Sequence, residues 1–165
     1  LAPVQAAAIE LLHETVRELN ESRAREGARL REMLLGRCQS VQQTVAQLHV
    51  RLPEIAARIR ERVGERVAQL GGSVDPARLE QELVLLAYKM DFAEELDRLG
   101  SHVTEMLQIL DAREPAGRRL DFLMQEFNRE ANTLSSKSQD ADTTRAAVDM
   151  KVLIEQMREQ IQNIE

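Results

Sequence analysis

Glu126 and Glu130 stand four residues apart, and on a helix two like charges at that spacing repel unless a cation sits between them. Two carboxylates completed by water oxygens are a common donor set for Mg2+ or Mn2+ ions that act on phosphates. Beside the pair, Arg118, Gln125, Arg129 and Asn132 line one polar face, and Ser136-Lys137-Ser138 follows them. Solvent faces are usually richer in Lys and Glu and poorer in Asn and Gln, which sets this face apart. The plainer alternative is that Arg119 and Arg129 neutralise the carboxylates without an ion. A second polar set lies upstream, where Asp91, Glu95, Arg98 and His102 step 4-3-4 and project the same way. A carboxylate and an imidazole so placed could bind a divalent metal or act as acid and base, an imidazole being the side chain whose unperturbed pKa lies nearest neutrality. They could equally form a solvated face in which Glu95 pairs with Arg98.

Other chemistry-bearing residues are less pointed. Arg58, Arg62 and Arg66 form a basic stripe able to grip a phosphate backbone, but Glu54–Arg58 and Arg58–Glu61 spacings suit ordinary surface pairing. No Tyr or Trp lies nearby to stack on bases. His13 and His49 occupy isolated helical positions and read as structural or surface groups. Cys38 falls beside Leu34 and Val41 and reads as a small buried hydrophobe; Met90, Met106 and Met157 read as core fillers. The chain has no Gly-rich phosphate loop, nucleophile elbow or His-Glu-x-x-His pattern.

Positioning these groups requires helices. The 165 residues are 43 % hydrophobic but only 2 % aromatic, which argues against strand-rich folds. A single Cys excludes a disulfide framework or a Cys-rich zinc module, and no apolar run approaches the ~20 residues of a membrane span. Leu1-Ala2-Pro3-Val4 reads as a cut inside a longer chain rather than a signal peptide. The formal charge is −6, unevenly spread. Residues 1–70 hold eleven Arg and nine Glu, whereas residues 71–165 hold eleven basic and nineteen acidic groups. Net charge therefore lends no support to nucleic-acid binding, although Arg concentrated on one face would suffice.

The expected fold is all-α. Residues 1–72 read as a long, kinked, coiled-coil-like arm or oligomerisation segment, with Ile9, Leu12, Val16 and Leu19 stepping 3-4-3 and a second stripe from Leu30 to Val67. The spacing Val45, Leu48, Leu52, Ile55, Ile59 persists across Pro53 and predicts a kink rather than a break. Gly71-Gly72-Ser73 marks a break, after which residues 73–165 form a C-terminal helical domain, restarting at Asp75-Pro76. One helix is expected from there to Leu110, then a loop over 111–117, a fourth helix with Leu120, Leu123, Phe127, Ala131 and Leu134 inward, and a polar loop over 135–140. The last helix is expected to bury Val148, Val152, Met157, Ile161 and Ile164.

The stretch Gly117-Arg-Arg-Leu-Asp-Phe-Leu-Met-Gln-Glu-Phe-Asn-Arg-Glu-Ala-Asn-Thr-Leu-Ser-Ser-Lys-Ser138 closely resembles the signature of the bacterial YicC/YloC family. So do the ending Lys151–Glu165 and the blocks Ala93–His102 and Arg23–Gly27-Ala28. The resemblance implies the C-terminal part of a longer protein with a β-containing N-terminal region. It implies a cytoplasmic endoribonuclease that uses Mn2+ or Mg2+ to cut single-stranded RNA and assembles as a homo-oligomer, a hexamer enclosing the RNA. The residues carried over are Glu95, Arg98 and His102 on the third helix and Arg118, Arg119, Asp121, Gln125, Glu126, Arg129, Glu130 and Asn132 on the fourth, with Lys137 after it. The leading expectation is that Glu126, Glu130 and either Glu95 or His102 hold the metal, with His102 the best candidate for general acid or base. Arg98, Arg118, Arg119, Gln125, Arg129, Asn132 and Lys137 hold RNA. The competing expectations are a non-catalytic helical oligomerisation or RNA-clamp module, or a coiled-coil adaptor that binds neither metal nor RNA.

Overall fold

A computed structural model describes residues 2–69, 76–89, 91–112, 114–138 and 140–162. Five helices make up the described chain, which contains no strand: α1 (Ala2–Gln69), α2 (Pro76–Lys89), α3 (Ala93–Asp111), α4 (Gly117–Lys137) and α5 (Ala141–Ile161). The expected Gly71-Gly72-Ser73 break, the Asp75 cap, Met90 and Ile164 lie outside the described residues. The chain divides into two compact units at Gly36/Arg37 rather than at 72. In the first unit, Leu1–Gly36, the helical stripe Ile9, Leu12, Val16 and Leu19 is 46–60 % exposed.

The second unit, Arg37–Glu165, contains a core built from regular apolar periods. Helix α3 buries Leu96, Leu99, Val103 and Met106; α4 buries Leu120, Leu123, Phe127, Ala131 and Leu134, and packs against both α3 and α5. From α1 come Cys38, Val41, Val45, Leu48 and Ile55, all buried. The Cys38 thiol lies 3.3 Å from the Met106 sulfur, and burial pushes its pKa up to about 11, so it is an inert packing group. Helix α1 continues through Pro53, as its spacing predicted; Pro53 is exposed, where solvent can meet the carbonyl its ring leaves without a donor.

Three local expectations are corrected. The segment from Asp75 to Leu110 is two helices, because Asp91 and Phe92 leave helical geometry: the Asp91 carboxylate accepts the Ala93 N–H at 3.0 Å while Phe92 is buried. Helix α4 runs through Lys137 instead of ending near Leu134, since the Lys137 ammonium is anchored on α3 and its approach. Finally, α5 buries Thr143, Ala147, Met150, Ile154, Met157 and Ile161, leaving Val148 and Val152 about half exposed. Its start is fixed by Asp140, whose carboxylate accepts both the backbone N–H and the hydroxyl of Thr143 at 3.2 Å.

Ion pairs tie α1 to α5. Arg51 donates to Asp142 at 2.7 Å, and Arg58 lies 3.6 Å from both Glu54 and Asp140. The Arg51 hydrogen bond and charge hold the Asp142 carboxyl below its ordinary value of 3.8. A lowered carboxyl pKa stabilises the fold above the unfolded value and loses that contribution as pH falls through the folded one. Asp142→Asn should therefore lower Tm near pH 6 by a small, salt-sensitive amount, and the deficit should shrink as pH drops below 3.8. A deficit constant across that range would remove the Arg51 pair as its cause.

Candidate metal centre

The α3–α4 interface brings together groups that the sequence kept on separate helices. His102 is on α3; Glu126 and Glu130 are on α4, one turn apart. One ligand atom from each lies within 4.8 Å of the others, the only grouping of its kind among the described residues. The helices are phased to make this meeting. Leu99, Val103 and Met106 turn one flank of α3 inward, Leu123, Phe127 and Leu134 do the same for α4, and the polar groups arrive at the seam. The Phe127 ring lies against the His102 imidazole, with centroids 5.6 Å apart at 53°.

The three donors differ in exposure. Glu130 is buried, with a side chain 3 % accessible, whereas the Glu126 side chain is 27 % accessible and opens the group to solvent. Nε2 of His102 is buried without a hydrogen-bond partner. A buried polar atom left unmet costs about 1–3 kcal/mol, and a cation meeting both it and the two carboxylates would remove that cost. The donor chemistry thus fits a divalent ion. One nitrogen and two carboxylates suit Mn2+ better than Mg2+, which favours oxygen alone.

The remaining predicted residues fall into two groups. Glu95 and Lys137 are brought together, apart from the three donors. Lys137 Nζ donates to Glu95 Oε1 at 2.7 Å and to the Asp91 carbonyl at 2.8 Å, while Glu95 Oε2 is buried without a partner. Glu95 was expected among the ligands and Lys137 on the phosphate, yet here they form a clamp holding the C-terminus of α4 to the start of α3. Arg98 bridges, with one nitrogen on Glu94 and the other 3.3 Å from Glu130 Oε1. It thereby balances one buried carboxylate, and those contacts raise its own pKa further above the usual Arg value.

The outer residues remain accessible. Arg118 and Arg119 are exposed at the first turn of α4 and make no ion pair among the described residues. Asp121 accepts from Gln125 at 3.2 Å, Arg129 lies 3.5 Å from Glu126, and Asn132 donates to Asn128 at 3.4 Å. His49, expected to be structural or surface, is 3.2 Å from Asp97 at a part-exposed position. In the basic stripe, Arg58 is tied to Glu54 and Asp140, and Arg62 and Arg66 are exposed. The grouping of His102 with the Glu126–Glu130 pair was not visible in spacing, because it depends on how two helices are rotated against each other.

The Lys137 clamp has a measurable signature. Lys137→Met should destabilise the fold by about 1–3 kcal/mol, by leaving a buried carboxylate unmet. Adding Glu95→Gln should recover part of the loss in a double-mutant cycle. Neither change should alter the salt dependence of RNA binding, whereas a fall of one unit in that slope for Lys137→Met would return Lys137 to the phosphate.

Residues 48–165 match the family model described as "Endoribonuclease YicC-like, C-terminal". A Haemophilus influenzae protein named "Probable endoribonuclease YicC" is 49 % identical over 143 residues, 87 % of this chain and 50 % of that protein. A Clostridioides difficile protein of the same name is 35 % identical over 151 residues, 90 % of this chain and 52 % of that protein. The chain spans about half the length of these curated relatives. With the family model covering α3, α4 and α5 in full, this chain belongs to the YicC-like endoribonuclease family.

Proposed function

We propose that this chain is the metal-dependent catalytic part of an endoribonuclease that cuts single-stranded RNA, with Mn2+ as the preferred ion. The observation that carries the reading is the grouping of His102 with Glu126 and Glu130, with ligand atoms within 4.8 Å of one another, on a histidine whose Nε2 is buried without a hydrogen-bond partner. The names of the two relatives supply the reaction class, endonucleolytic cleavage of RNA.

His102, Glu126 and Glu130 would hold the ion. When bound, it supplies Lewis acidity toward a phosphoryl oxygen and lowers the pKa of attacking water. The protein's own groups do the rest. Arg98 orients Glu130 from α3, with a guanidinium nitrogen 3.3 Å from Oε1. Glu126, its side chain 27 % accessible, is where substrate meets the centre, and Arg129, beside it, stabilises negative charge developing on the phosphate. Arg118 and Arg119, exposed two turns toward the N-terminus of α4, extend the positive ground along which a strand can lie. A cytoplasmic setting is part of the same proposal and rests on the resemblance in the signature block alone.

Two measurements test this reading. Calorimetry should show Mn2+ binding that falls at least tenfold in both His102→Ala and Glu130→Gln. Cleavage of a labelled single-stranded RNA should require Mn2+, stop with EDTA and be lost in the same variants. Unchanged Mn2+ binding in both variants removes the site; intact binding of RNA with no cleavage by wild-type chain leaves a clamp.

Self-association is a further part of the proposal, supported by the exposed stripe Ile9, Leu12, Val16 and Leu19. Its 3-4-3 step places β-branched residues at one core position and Leu at the other, the pattern that favours paired helices. Light scattering should report an oligomer for the wild-type chain and a smaller species for Leu12→Asp/Val16→Asp. A wild-type monomer would remove this element.

A further inference from the structure

Phe122 is 63 % exposed, in a chain whose other two phenylalanines, Phe92 and Phe127, are 2 % and 0 % exposed. It stands in the middle of a cationic face rather than at the edge of a core. Arg118, Phe122, Gln125, Arg129 and Asn132 step 4-3-4-3 along α4, and all five are exposed. At about 100° per residue, Phe122 lies within about 40° of Arg118 and Arg129 on one side and of Glu126 on the other. Glu126 is one turn C-terminal to it, about 6 Å along the axis. Arg118 and Arg129 are separated by about 16 Å, room for several nucleotides of an extended strand.

We infer that Phe122 is a stacking platform for an unpaired base of the substrate, lying next to the metal centre and flanked by the guanidiniums of Arg118 and Arg129. The inference rests on the reading of that centre as one that acts on RNA. An exposed aromatic ring between two cations offers a base its π-face and the adjoining phosphates their counter-charge, which is how proteins hold single strands without reading sequence. A base paired in a duplex keeps its faces within the stack and cannot use the ring. Phe122 therefore gives a physical reason for preferring single-stranded RNA, which the three donors alone do not supply. A lone apolar side chain on a surface is ordinary; it is the juxtaposition with two exposed Arg and an open ligand carboxylate that selects a nucleotide as the occupant.

The test is fluorescence anisotropy on the full chain in EDTA, where RNA is bound and not cut. The probes are a labelled single-stranded oligonucleotide and an abasic oligonucleotide of equal length and charge. Phe122→Ala should weaken binding of the first about tenfold and leave the abasic probe unchanged. Phe122→Trp should restore wild-type affinity, and Arg118→Ala should reduce the salt slope by about one for both probes. A 2-aminopurine in the strand should lose fluorescence on binding to wild type but not to Phe122→Ala. Equal binding of the base-bearing probe by wild type and Phe122→Ala would overturn the inference, as would equal losses on both probes. A change in oligomeric state by light scattering with RNA affinity intact would overturn it too, and assign the ring to a second copy of the chain. Mn2+ binding that survives while wild type binds no single-stranded RNA would overturn the stacking role and leave the metal centre standing.

Discussion

Burying a carboxylate costs several kcal/mol unless a cation or donor meets it, and the contact between α3 and α4 buries two. Glu95 is met by Lys137, and Glu130 by Arg98. Each pair joins one helix to the other, so the register and rotation of α3 against α4 are specified by charge as well as by the apolar seam. The seam supplies the bulk of the stabilisation through Leu96, Leu99, Val103, Phe127 and Leu134. The two pairs add a condition that a slipped packing would violate, since a slip of one turn would strand a buried charge. Glu126 lies on the open side of the same seam, and His102 comes to it because this register is the one that satisfies both carboxylates.

That arrangement also sorts the cations. Lys137 and Arg98 are committed to carboxylates across the α3–α4 seam, whereas Arg118 and Arg119 are exposed without an ion pair among the described residues and Arg129 is exposed beside Glu126. The net charge of −6 is a sum over the whole chain and does not describe the outer face of α4, where Arg118, Arg119 and Arg129 are exposed. A helix with carboxylates on its inner shoulder and guanidiniums on its outer face suits an ion on one side and a phosphate chain on the other.

The helical class, the continuity of α1 through Pro53 and the inward faces of α3 and α4 were legible as steps of three and four residues. The errors have local physical causes. In α5 the true core positions include Thr143 and Ala147, too small or polar to stand out, while Val148 and Val152 offered a more hydrophobic but exposed pair. The division between α2 and α3 was hidden because Leu86, Ala93 and Leu96 keep helical spacing across a turn made by the Asp91 side chain. Serines near residue 135 suggested a loop, but the anchored Lys137 outweighs their weak helix preference.

At the site, sequence identified His102, Glu126 and Glu130 as chemically apt but placed Glu95 with the ligands. Whether a charged residue faces a metal or a buried Lys is decided by the partner helix, and spacing within one helix is silent about it. Phe122 escaped notice for a different reason: Phe is usually core, and only its exposure shows that here it is not. The proposed activity depends on His102, Glu126 and Glu130 holding one divalent ion. The most direct measurement is an anomalous difference map from crystals soaked in Mn2+. A single strong peak bonded to His102 and both carboxylates is predicted. A map with no peak there at saturating Mn2+, or with the ion held by Glu95 instead, would contradict it.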